Sequence, residues 1–132
     1  MKYTLLTSRL LLGLIFFVLG LNNILHFLPL PLPTGDALAW SGIMAGHGWM
    51  TFVGVIMVIA GLLLLVGRFV PLALTMLAPV IVNILLYHAL LWPHGFVPAI
   101  LVAILEVVLL VAYHRSFAPL FVPDPTASAP KL

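Results

Sequence analysis

A chain of 132 residues with 64% hydrophobic and 6% charged side chains has too little polar surface to cover a water-soluble globule. Its mean hydropathy is +1.32. The formal net charge of +2 comes from scattered basic residues, which excludes the clustered footprint of a nucleic-acid binder, and the lack of cysteine excludes a thiol–disulfide carrier or thiolate metal ligation.

Four apolar runs, at about 4–27, 48–67, 70–91 and 97–115, each reach the roughly twenty residues that a transmembrane helix needs. The runs are continuously apolar, without the alternation of a membrane barrel. The expected fold is therefore all-α: a four-helix transmembrane bundle with a short interfacial helix between spans 1 and 2. Residues 1–118 form one domain, and the Pro-rich tail 119–132 is expected to be partly disordered.

Span 1 begins with Lys2 and Arg9, as a secretory signal would. It is long, however, and Leu25-His26-Phe27-Leu28-Pro29 is a poor cleavage site, so the expectation is a retained helix. Gly13 and Gly20 lie seven residues apart, almost two turns, and mark a face for close backbone approach. Asn22 and Asn23 fall in the outer half of the span and His26 near its outer end.

Pro29, Pro31 and Pro33 stop the helix. Thr34-Gly35-Asp36 then offers capping residues for a short segment, Ala37 to Ala45, made apolar by Leu38, Trp40, Ile43 and Met44. About ten residues cannot span, so this segment reads as a surface anchor or as a lid over a cavity between the helices. Gly46-His47-Gly48 ends it before Trp49 opens span 2, where Gly54 and Gly61 repeat the seven-residue spacing. The octapeptides beginning at Gly13 and Gly54 look alike, a weak sign of internal repetition.

Gly67-Arg68-Phe69 is a minimal loop that makes spans 2 and 3 antiparallel neighbours. In span 3, Pro79 removes the hydrogen bond to the Thr75 carbonyl and predicts a kink one turn before Asn83, with Tyr87 and His88 a turn higher. Span 4 carries Glu106 as a lone formal charge between Val97 and Ala112. A carboxylate at that depth costs about 2.5–3.5 kcal/mol and calls for a partner, a proton or a wet cavity. Arg9 lies about 10 Å nearer the cytoplasm and is expected to snorkel to the headgroups.

All five Lys and Arg residues fall at one end: Lys2, Arg9, Arg68, Arg115 and Lys131. By the positive-inside rule both termini are cytoplasmic. Asn22, Asn23 and His26 of span 1, Asn83, Tyr87 and His88 of span 3, and Glu106 of span 4 then share a band from the midplane to the outer surface. Polar groups in hydrocarbon turn toward one another, and the expectation is a polar cavity between spans 1, 3 and 4. Glu106 is then either hydrogen-bonded to Asn83 as a neutral acid, or a proton acceptor or anchor for a polar ligand head. The histidines lack dedicated ligand spacing, so neither a haem on His26 and His88 nor a metal on His26, His47, His88 or His94 is expected.

Arg9-Leu10-Leu11-Leu12-Gly13 through Gly20 and Asn23, Gly61 to Gly67 with Arg68, Asn83-Ile84-Leu85-Leu86-Tyr87-His88, and Leu105-Glu106 on to Tyr113, Arg115, Phe117 and Pro119 follow an order and spacing that resembles the DoxX family of small four-span bacterial membrane proteins. Many members carry a Glu in span 2 where this chain has Met57, so a two-carboxylate site would be incomplete here. The resemblance implies a multi-pass protein of the bacterial inner membrane. It also implies association with quinone-linked oxidoreductases such as thiosulfate:quinone oxidoreductase, or with redox-stress responses; distant relatives include a receptor-assembly chaperone. The resulting expectation is a redox-associated subunit that binds a lipophilic molecule such as a quinone. Its ligand residues would be Asn22, Asn23, His26, Asn83, Tyr87, His88 and Glu106, with Glu106 the proton-exchange candidate. Expected partners are the lipid bilayer, an oxidoreductase subunit carrying the redox centre, and a second copy of the chain. The competing expectation is a non-catalytic scaffold for a membrane partner. A transporter would need paired interrupted helices, and only Pro79 hints at one.

Overall fold

The computed structural model describes residues 1–127. The helices run in the order α1 (Lys2–Leu25), α2 (Gly35–Gly46), α3 (Trp49–Val66), α4 (Val70–Leu90), α5 (Phe96–Ala112) and α6 (His114–Phe117). A 3-10 turn at Pro93–Gly95 leads into α5, and another at Ala118–Phe121 follows α6. Helices α1, α3, α4 and α5 (α5 with its leading turn) are long and apolar enough to cross a membrane. Even α3, with 18 residues, rises about 27 Å, close to the hydrocarbon thickness of a bilayer. These four helices begin and end within a few residues of the apolar runs in the sequence.

Helix α1 packs on α3, α3 on α4, α4 on α5, and α5 returns to α1, closing a four-membered ring. The α1–α3 contact is by far the most extensive, and glycine explains it. A Cβ added at Gly61 would stand 2.6 Å from the Phe17 nitrogen and 2.8 Å from the Gly13 carbonyl oxygen. One at Gly20 would stand 2.8 Å from the Gly54 oxygen, and one at Gly54 an equal 2.8 Å from the Gly20 oxygen. The two seven-residue glycine pairs therefore face each other across an antiparallel helix pair, backbone on backbone. In a bilayer, burying one more leucine gains little over leaving it in lipid, so close van der Waals approach supplies the attraction.

The ring closes over a dry core in which Leu12, Phe16, Leu64, Leu74, Leu77 and Leu109 are fully buried. The opposite faces are apolar too: Leu14, Ile59, Leu72, Val82, Ile104 and Val107 are exposed, as lipid-facing side chains must be. Gly67, at φ 77°, ends α3 with its N–H on the Leu63 carbonyl at 2.9 Å. Phe69 follows at φ 55°, a left-handed position that costs a non-glycine residue about 1–2 kcal/mol. Three residues thus reverse the chain, and Pro71 in the first turn of α4 suits a position without an intrahelical N–H bond.

Two expectations need comment. Helix α4 runs unbroken through Pro79, which stands on an exposed face. The Thr75 hydroxyl donates to the Pro71 carbonyl at 2.9 Å, reinforcing the turn before the proline. In the tail, Phe117 packs against the core while Leu120 and Phe121 are exposed. The disorder expected beyond Asp124 falls in part on residues 128–132, which lie outside the described residues.

Candidate functional site

The polar residues of the α2 end divide into those that close the chain on itself and those that face a groove. Asn22 belongs to the first kind. Its Oδ1 accepts the Leu28 N–H at 2.7 Å while its backbone carbonyl accepts the His26 N–H at 2.8 Å, so one buried residue closes the end of α1. His26 is the cap itself, at φ 53°, with its ring exposed. Asn23 reaches sideways and donates from Nδ2 to the Met57 sulfur at 3.6 Å, tying α1 to α3.

His88 is also used locally. Its Nδ1 lies 2.7 Å from the Trp92 carbonyl, which can only accept, so the proton is on Nδ1. The ring fills the space above Gly95, where a Cβ would collide with it, and it meets the Tyr87 ring edge-on with centroids 5.1 Å apart. His88 therefore braces the α4–α5 connection and backs Tyr87.

Tyr87 turns toward α2. Its ring lies 5.1 Å from that of Trp40, and its hydroxyl is 3.3 Å from Ser41 Oγ. Asn83, one turn below on the same side of α4, is exposed. Together with Trp40, Leu86, Leu90 and Leu91 these two residues line an open groove of about 230 Å³ between α2 and α4. An aromatic pair, a phenol and an amide thus meet beside leucines, a combination that can hold a planar ring by its faces and its carbonyls.

Glu106 stands elsewhere. It is only 3% exposed and lies in the buried stripe Ala99, Val102, Glu106, Leu109 that α5 turns to the core. Neither carboxyl oxygen has a hydrogen-bond partner, so the expected bond to Asn83 is not made. Helical rotation accounts for this. Asn83 comes two residues after buried Ile81, about 200° round the helix, and that step carries its amide out of the core. Of the seven expected ligand residues, Asn83 and Tyr87 share a groove and His88 supports it. Asn22 and His26 close the end of α1, Asn23 ties α1 to α3, and Glu106 is buried in the core-facing stripe of α5. Among the described residues, no group of three His, Asp or Glu side chains is arranged to hold a metal ion.

Two features escaped the sequence reading. Trp40 reads there as one more apolar residue of a short helix, although a tryptophan beside Ser41 on the outer connection is a signal for an amphipathic contact. Arg9 reads as a side chain reaching for headgroups, and its contact with Gly67 at the C-terminus of α3, the negative end of that helix dipole, is not foreseen there. Its Nε is buried without a hydrogen-bond partner.

Fold and site together define an all-helical, multi-pass membrane protein with a lateral aromatic–amide groove at one end. Comparison of the chain with protein-family models, curated proteins and solved structures found no match.

Proposed function

We propose that this protein is a membrane subunit that takes up a lipophilic molecule with a carbonyl-bearing ring, of the quinone class, in the groove between α2 and α4. The observation that carries this reading is the grouping of Trp40, Tyr87 and Asn83 beside Leu86, Leu90 and Leu91. Trp40 and Tyr87 offer ring faces, while the Asn83 amide and the Tyr87 hydroxyl donate to ring carbonyls. At about 230 Å³ the groove is smaller than the roughly 300–1,000 Å³ of an enclosed ligand pocket, which suits holding a ring while its tail stays in lipid.

The DoxX-like order of motifs supports adding a redox-competent partner subunit and the bacterial inner membrane. The exposed cations Lys2, Arg68 and Arg115 at the terminal end support cytoplasmic termini, with α2 in the outer interface as the groove's cover. Glu106 stands outside the ligand site and is the bundle's candidate for holding or exchanging a proton.

Titration of the nanodisc-embedded protein with a short-chain benzoquinone, read by tryptophan quenching, tests the site. Asn83→Ala and Tyr87→Phe should each weaken binding about three- to tenfold, the worth of one hydrogen bond, with Glu106→Gln unchanged. Binding that ignores Asn83 and Tyr87 would remove the assignment. A stoichiometric protein client purified without quinone affinity would make the chain an assembly scaffold instead.

A further inference from the structure

At the opposite end of the bundle, α1 and the end of α5 enclose a second concavity. Lys2, Leu5, Leu6 and Arg9 recur at helical spacing along one face of α1, and Tyr113 completes the wall from α5. The notch measures about 320 Å³. Its composition is graded, with a cation at each end of the α1 stripe, two leucines between them and a phenol opposite. Arg9 sits about 10 Å deeper along the helix than Lys2. Its guanidinium is held on one side by Gly67, and its Nε–H is buried without an acceptor. At the Lys2 end of the notch, no side chain caps the first turn of α1.

We propose that this notch is a binding site for the phosphodiester headgroup of an anionic phospholipid. Arg9 takes the phosphate oxygens with its fork of donors, Lys2 closes over them as a mobile point charge, and Tyr113 adds a hydroxyl donor. Leu5 and Leu6 receive the first methylenes of an acyl chain. The site lies where span ends meet the headgroup layer, and basic pockets between transmembrane helices select anionic headgroups there. Arg9 is then a lipid ligand as well as a side chain packed on Gly67 at the end of α3, which accounts for a guanidinium that is half-buried at the bundle edge instead of free at the surface.

Native mass spectrometry of the full chain, released from nanodiscs containing phosphatidylglycerol and phosphatidylcholine in equal parts, reads the site directly. One phosphatidylglycerol per chain should be retained in preference to phosphatidylcholine. Lys2→Gln should lower that retention about fivefold, the factor for one basic residue at an anionic surface, while Arg68→Gln, outside the notch, changes it little. Arg9→Gln should lower it about tenfold or more, and Arg9→Lys by less, because a point charge replaces a planar fork. Tyr113→Phe, which keeps the packing, supplies a further reading should Arg9→Gln fail to fold. Equal retention of the two lipids would overturn the proposal, as would equal loss on Lys2→Gln and Arg68→Gln, which means diffuse surface charge. Displacement of the lipid by millimolar inorganic phosphate would assign the notch to a soluble anion and overturn it as well.

Discussion

Gly61→Ala should separate α1 from α3 and leave little monodisperse protein in detergent. The added methyl meets the Phe17 nitrogen at 2.6 Å and the Gly13 oxygen at 2.8 Å, and both are backbone atoms that no rotamer change can move aside. Overpacking usually costs about 1–3 kcal/mol, and a clash with main chain belongs at or above the top of that range. Gly20→Ala meets Gly54 in the same way, and the double variant should be worse than either alone. Gly42→Ala in α2 is the internal control. Nothing lies within 4 Å of its would-be Cβ, and an alanine inside a helix gains about 0.5–1 kcal/mol over glycine. Thermal melting followed by size-exclusion chromatography separates these cases. A Gly61→Ala protein that melts with the parent would show that the α1–α3 backbone contact does not hold the bundle together.

Glu106→Leu should raise stability, by about 2.5–3.5 kcal/mol if the full cost of a carboxylate at the centre of a span is relieved. Leucine nearly matches glutamate in volume and joins Val102 and Leu109 in the buried stripe, where neither carboxyl oxygen has a partner. Gln at the same position keeps two polar groups in the core without partners and should gain less than Leu. Steric trapping or reversible unfolding in mixed micelles measures the differences. A Leu variant less stable than the parent would mean that the carboxyl is bonded in the native membrane. If proton exchange at Glu106 supports a redox partner, the stabilised Leu variant should lose coupled activity while keeping quinone affinity, a trade of function for stability.

The spans were legible in the sequence because hydrocarbon tolerates no ambiguity about length. Their ends fall at Gly67, shortly before Pro93 and shortly before the proline run from Pro29, in segments whose backbone cannot continue a helix. The helix pairing was half legible: two glycine pairs marked faces for close approach, but the spacing alone did not say that the faces would meet each other. The site was harder, for a physical reason. In a soluble helix the apolar stripe reveals the inside, whereas a membrane helix is apolar all round and its sequence reports depth far better than rotation. Asn83, Tyr87 and Glu106 could be assigned levels, yet nothing marked Asn83 as turned from the core. Asn22 and His88 went astray differently. Each found its acceptor or donor within six residues along the chain, and such local satisfaction leaves no trace in a count of polar groups per span.

The tight seam between α1 and α3 also has a consequence for biogenesis. The two interlocking spans precede α4 and α5 in the chain, so the most demanding fit can form before the second half has been translated. The hairpin of α4 and α5 then arrives as a late addition to a finished platform. A nascent chain halted in that second half would leave the interlocked pair with bare flanks, on α3 where α4 normally packs and on α1 where α5 does.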